Sequence, residues 1–211
     1  MLRWVIRSDV DLDREIGAIA DALEQGGIIA VPTASFYALA ADVRCGEALH
    51  RVQRLKGRGP EKPLLALVAT ISAARRLAPT APPLLEELAA HFWPGRLTLL
   101  LPAREDLSPP LVGERRTVAV RVPSTIATRR IAARMGGVTG TSANRTGEAP
   151  IQDPEMLELQ TGALAGVVDI GRTAGGKPST LLDITQEPAR IVRHGALHES
   201  ELRQLLGTRL V

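Results

Sequence analysis

Apolar residues fall at positions 12, 16, 19, 20 and 23 of the stretch DVDLDREIGAIADALEQGG (9–27). This spacing predicts a helix, with acidic residues at its start and Gly26-Gly27 at its end. IIAVP (28–32) is a short apolar run closed by a proline, which predicts a buried strand feeding a loop. GEALHRVQRLKGR (46–58) places 48, 49, 52 and 55 on one helical face, and Gly57 and Gly59-Pro60 break it. KPLLALVA (62–69) predicts another buried strand, followed by helices near 70–77 and 82–92. WPGRLTLLLPA then predicts a turn and a strand.

The second half alternates in the same way. TVAVRVP (117–123) predicts a strand that contains Arg121. STIATRRIAARMGG (124–137) predicts a helix with a serine N-cap at Ser124 and a glycine stop. VTGTSANRTGEAP (138–150) begins as a strand and becomes a loop of small and polar residues. AGVVDIG, STLLDIT and ARIVRHG are three short strand candidates, and HESELRQLLG (198–207) predicts a closing helix with Glu199 or Ser200 near its start. The chain shows no internal repeat and no low-complexity linker. Its intermixed strands and helices predict one α/β domain over 1–211, built on a mixed sheet.

Composition narrows the partners. The 211 residues are 45% hydrophobic and 2% aromatic, so Leu, Val, Ile and Ala must build the core. So few rings argue against single-stranded nucleic-acid binding by base stacking. The formal charge of +3 is mildly basic and suits an anionic ligand or RNA without demanding either. One cysteine, Cys45, excludes an internal disulfide or a cysteine-based zinc cluster within a chain and points to a reduced, cytoplasmic setting. MLRWVIRSDVDLDREIG has no apolar core of a signal peptide, and no window approaches the ~20 apolar residues of a membrane span, so a soluble protein is expected.

Three groups could carry chemistry. The first is RLKGRGPEKPLLALV (54–68). Lysine occurs only at 56, 62 and 177, against a large excess of arginine. A lysine ammonium is a compact, rotatable charge suited to phosphate oxygens, and arginine is a fixed fork. Lys56 and Arg58 could share one anion, or form a solvated basic helix end that complements the dipole. No GxxxxGK[ST] motif is present, and GGKPST (175–180) imitates only part of one. The second group, GTSANRTG (140–147), offers hydroxyls, an amide and backbone N–H groups that could cradle a phosphate, or form an ordinary polar turn. The third, VPTASFYALAADV (31–43), is a strand end opening into a loop, where α/β sheets place ligands, although Phe36 and Tyr37 could simply be core. Histidines 50, 91, 194 and 198 lack ligand spacing and read as structural or surface residues.

The order of these blocks is more specific than any one of them. GGIIAVPTASFYALAAD, LKGRGPEKPLLALV, FWPGRLTLLLPA, TVAVRVP, TGTSANRTGEAP, GGKPSTLLDIT and RIVRHGAL follow one another as the motifs of the YrdC family do, over roughly residues 10–205. The family pattern comprises a Pro-Thr-acid loop with Tyr-Gly-Leu, Lys-x-Arg, Trp-Pro-Gly, Val-Arg-x-Pro, Ser-x-Asn, Ser-Thr and Arg-x-Gly. The chain resembles the compact form of the family, without the extra C-terminal domain of longer members.

The resemblance implies one α/β domain with a twisted mixed sheet curved around a basic cavity. It implies the synthesis of L-threonylcarbamoyl-AMP and pyrophosphate from L-threonine, bicarbonate and ATP with Mg2+, a nucleotidyltransferase reaction. Downstream proteins would transfer the group to the tRNA adenosine beside the anticodon. By the same resemblance, Lys56 and Arg58 would neutralise the triphosphate, and Ser142 and Asn144 would hold phosphate oxygens or the magnesium shell. Thr33 would hold threonine or its carbamate, and Arg121 would pair with its carboxylate. Ser179 and Arg193 would complete the nucleotide side, with Tyr37 and Thr141 in the same binding set. No direct side-chain metal ligand is implied.

Two positions depart from the pattern. Ala34 replaces the acid after Pro-Thr, and Ala38 replaces the glycine after the tyrosine, where a methyl could obstruct a backbone needing positive φ. Two other readings compete. One is a non-catalytic module that binds double-stranded RNA or tRNA through its phosphates. The other is the carbamoyl-adenylate chemistry of hydrogenase-maturation carbamoyltransferases, whose acylphosphatase and zinc-finger regions have no counterpart in this sequence.

Overall fold

The computed structural model describes residues 1–57, 59, 62–113, 115–144, 147–157 and 163–211. Its strands are β1 (Leu2–Val5), β2 (Ile29–Pro32), β3 (Tyr37–Ala40), β4 (Leu65–Leu67), β5 (Leu97–Pro102), β6 (Thr117–Arg121), β7 (Val138–Thr139), β8 (Thr141–Ser142), β9 (Gly166–Asp169), β10 (Thr180–Asp183) and β11 (Arg190–Arg193). Its helices are α1 (Asp9–Glu24), α2 (Gly46–Lys56), α3 (Ile71–Leu77), α4 (Leu84–Phe92), α5 (Ile126–Met135) and α6 (Glu199–Leu206).

The expected α/β class and mixed pairing hold, but the strands form two sheets instead of one. The first has the order β1-β9-β2-β3-β8 and the second β11-β10-β5-β6-β4-β7. In the first sheet β1, β9 and β2 run parallel, and β3 and β8 join antiparallel. The second sheet mixes parallel pairs, β10 with β5 and β4 with β6, with antiparallel ones. The chain passes from one sheet to the other between β7 and β8, at Gly140. A Cβ there would stand 2.5 Å from the Leu67 side chain, so the crossing requires a residue without one.

Alternation along the central strands divides the apolar residues between two layers. Ile29, Val31, Ala38 and Ala40 pack with Leu12, Ile19 and Leu23 of α1 and Ile131 and Met135 of α5. Ala30, Tyr37 and Leu39 point the other way, into the cluster with Leu97, Leu99, Val118, Val120 and Leu182 from the second sheet. Burying these side chains is the main stabilising term.

Local chemistry sets the helix ends. Ser8 Oγ accepts the Asp11 N–H at 3.2 Å to cap α1. Gly57, at φ 57°, stops α2 directly after Lys56. The α5 boundary differs from expectation: Thr125, not Ser124, occupies the N-cap and its hydroxyl makes no capping bond, while Gly136 provides the stop at φ 76°. His198 caps α6, its ring nitrogen near Ser200 N and its own N–H donated to Glu201 Oε2 at 2.9 Å. This gives one of the four histidines a structural role.

Two strands escape the hydrophobic pattern. In β1 only Trp4 is buried, so no apolar run marks it. In β3 the sequence YALA is buried at every position and shows no period of two. Ala38 lies within β3, opposite Val31 on one side and Ser142 on the other. It is not among the residues of positive φ, so the methyl sits in ordinary extended backbone.

Tyr37 ties β3 to the loop after β9. Its hydroxyl donates to Gly171 O at 2.7 Å and accepts from Ile170 N at 3.3 Å. The ring is fully buried, and this burial pushes the phenol pKa up to about 12. Tyr37→Phe keeps the ring and strands both backbone groups. It is expected to lower unfolding free energy by about 1–3 kcal/mol in urea titrations. An unchanged midpoint would show that the hydroxyl bears no load.

Candidate functional site

A cavity of about 360 Å³ is lined by residues of both sheets, from β3 and β8 of the first and from β4, β5, β6, β10 and β11 of the second. Seven of the sequence-selected residues reach it: Thr33, Tyr37, Arg121, Thr141, Ser142, Ser179 and Arg193. Lys62 also lines it. Among the described lining residues there is no Asp or Glu. Arg58 lies outside the described residues.

Lys56 and Asn144 stand behind the wall that Ser142 forms. The Lys56 ammonium, buried at the last position of α2, donates to Ser142 O at 2.7 Å and Ser142 Oγ at 3.2 Å. It also donates to Asn144 O and, at 3.3 Å, to Asn144 Oδ1. Asn144 Nδ2 donates onward to Glu148 O at 2.7 Å. The cation therefore gathers the 142–144 turn around itself. A flexible ammonium can serve four oxygens spread over two residues, which a planar guanidinium fork cannot match.

Arg121 ends β6 and is only 7% exposed. Its Nε donates to Gly95 O at 2.7 Å, and among the described residues no carboxylate pairs with it. Burial, and then the positive charges of Arg96 and Arg193, pull its pKa down to about 10. It remains charged at neutral pH.

Arg193 has its value lowered by burial. Its guanidinium donates to Ser179 O at 2.9 Å and to Ser179 Oγ at 3.3 Å. Ser179 Oγ also shares a hydrogen bond of 2.8 Å with Thr98 Oγ1. Gly195 lets the following segment lie against this wall, because a Cβ there would be 2.4 Å from Pro178 O.

Thr33 folds its own loop. Its hydroxyl donates to Phe36 O at 2.7 Å and accepts from Phe36 N at 3.3 Å. Ser35 fastens that loop to a second one, donating to Lys177 O at 3.0 Å and accepting Thr173 Oγ1 and Gly175 N at its carbonyl, both at 2.8 Å. Tyr37 directs its hydroxyl to Gly171, so the phenol group is engaged in holding the fold. Thr141 pairs with Leu39 across the sheet.

Sequence reasoning missed Thr98, Ser35 and Arg96. Thr98 had a legible signal: it is the polar residue inside the apolar run LTLLL, and a hydroxyl in such a strand needs a buried partner. Ser35 and Arg96 had none, since both are polar residues in turns.

The cavity thus has two cation-bearing parts: the Ser142 wall backed by Lys56, and the buried Arg121 with Arg193. The Sua5/YciO/YrdC family model, described as telomere recombination, matches residues 21–195. A Bacillus subtilis threonylcarbamoyl-AMP synthase is 30% identical over 97% of this chain and 61% of its own length. A threonylcarbamoyl-AMP synthase of Thiobacillus denitrificans is 37% identical over 77% of this chain and 87% of its own length. The crystal structure of P. abyssi Sua5 complexed with L-threonine superposes with a TM-score of 0.87 at 29% identity, covering 100% of this chain and 61% of that one. The chain thus spans about three fifths of the B. subtilis and P. abyssi proteins. Because the family model matches most of the chain, including every described residue that lines the cavity, the chain belongs to the Sua5/YciO/YrdC family.

Proposed function

We propose that this chain makes L-threonylcarbamoyl-AMP and pyrophosphate from L-threonine, bicarbonate and ATP. The observation that carries the proposal is Arg121, a buried cation on the cavity wall with no carboxylate partner among the described residues. A guanidinium held in that way suits a substrate carboxylate, and the threonine relatives supply the identity of the amino acid.

The chemistry joins two anions, so positioning and charge neutralisation are the main tasks. The threonine amine adds to carbon dioxide derived from bicarbonate and loses a proton, giving a carbamate. A carbamate oxygen then forms a bond to the α-phosphorus of ATP while the bond to the departing pyrophosphate breaks. Arg121 orients the amino acid through its carboxylate. Thr33, at the turn that closes one edge of the cavity, faces the threonine or its carbamate. Ser142, with Asn144 and Lys56 behind it, receives the phosphates, joined by Arg58. Ser179 and Arg193 hold the nucleotide side, with Tyr37 and Thr141 shaping the wall. Desolvation within the cavity protects a carbamate that decomposes readily in water. No side chain becomes covalently modified.

Magnesium is expected to enter with ATP. Ser142 Oγ, on the cavity wall, is a hard neutral donor suited to a hydrated ion held chiefly by phosphates, while Asn144 Oδ1 stands behind that wall against the Lys56 ammonium. Among the described residues no group of three or more His, Cys, Asp or Glu gathers to hold a metal. When bound with ATP, the ion would offset phosphate charge. The product is a mixed anhydride, so we propose that other proteins consume it in modifying tRNA, in the cytoplasm. Among the described residues no helix is long and apolar enough to cross a membrane.

Pyrophosphate release from ATP is expected to require both L-threonine and bicarbonate. Ser142→Ala should reduce it by about tenfold or more, through loss of a hydroxyl at the phosphate wall. Folded protein that binds ATP yet releases no pyrophosphate with both co-substrates present would refute the proposal.

A further inference from the structure

The turn before β5 meets the cavity wall at two consecutive residues. Gly95 O accepts Arg121 Nε at 2.7 Å, and Gly95 N donates to Val122 O at 2.9 Å. Arg96 O then accepts Thr180 N at 3.0 Å. The Arg96 backbone is thereby fixed between the end of β6, which carries Arg121, and the Ser179–Thr180 wall, which Arg193 holds. Its side chain is exposed, and among the described residues no carboxylate pairs with it.

Thr98 and Leu100 of β5 and Ser179 beside them line the cavity, and alternation along the strand puts Arg96, two residues before Thr98, on that same face next to the lining residues Arg121 and Arg193. Arg96 and Arg193 both lie within electrostatic reach of Arg121, since each depresses its proton affinity. Like charges assembled without a counter-charge raise the energy of the empty site and lower it when an anion arrives. The exposed member of such a group affects capture, and the buried member holds the ligand in place.

We propose that Arg96 is a second recognition residue for the α-carboxylate of the amino-acid substrate, acting at the cavity rim beside Arg121. This rests on the reading of Arg121 given above. The bland alternative is a solvated turn arginine that repels Arg121 to no purpose.

Binding titrations with L-threonine, L-threoninol and ATP distinguish these. L-Threoninol has the same side chain and amine but no carboxylate. Arg96→Gln is expected to weaken L-threonine binding about three- to fivefold at low salt, the range for an exposed charge, and Arg96→Lys to retain most of the affinity. The difference should shrink at high salt. L-Threoninol should bind weakly and equally to wild type and variants, and ATP affinity should not change. Equal L-threonine affinity in wild type and Arg96→Gln, with both folded by thermal melting, would overturn the inference alone. A matching loss for ATP would also overturn it, because the charge would then serve the nucleotide. Wild type that does not bind L-threonine at all would overturn the parent reading and this inference with it.

Discussion

A guanidinium buried on the cavity wall, with no carboxylate partner among the described residues, imposes the central constraint on this molecule. Arg121 is buried at the end of β6, held by one hydrogen bond to Gly95 O and repelled by two other arginines. Desolvation of a charge is costly unless the charge is paired. The pH dependence follows from the direction of the shift. Below about pH 10 Arg121 is protonated in both folded and unfolded chains, and the folded chain bears the full penalty. Above that value the folded chain sheds its proton first, so this group's contribution to stability improves as pH rises toward the ordinary arginine range. At neutral pH the penalty persists in the unliganded chain.

The other end of the cavity solves the opposite problem. Lys56 is a buried cation too, but its ammonium is taken up by oxygens of Ser142 and Asn144. It organises the turn while Arg121 awaits a partner. The two cations therefore differ: one builds the wall, and the other, in our proposal, recognises the substrate carboxylate. The switch of the chain between sheets at Gly140 is what brings both ends to a single space, because β8 joins β3 while β7 stays beside β4.

Much of this was legible in the sequence. Long amphipathic segments such as 9–27 and continuous apolar runs such as IIAVP marked their own elements, because burial on one face or both leaves a periodic trace. The ordered motif blocks pointed to seven residues that line one cavity. What stayed hidden depends on contacts distant in the chain. The division into two sheets follows from strand pairing, and β3 is an unpatterned run of buried residues. The engagement of the Lys56 ammonium with Ser142 spans 86 positions. Arg96 looks like any turn arginine until Gly95 is seen to hold Arg121. Ala38 shows the converse: the sequence suggested a backbone obstacle, and the strand accommodates the methyl without positive φ.

The decisive measurement is equilibrium unfolding of wild type and Arg121→Met, each with and without saturating L-threonine. If the buried charge exists to receive a substrate carboxylate, the unliganded variant will be as stable as wild type to within about 1 kcal/mol, or more stable. L-Threonine at a hundred times its dissociation constant will stabilise wild type by about 2.7 kcal/mol and leave the variant unmoved. A variant that is severely destabilised without ligand, and still stabilised by L-threonine, would contradict the account and make Arg121 a structural residue.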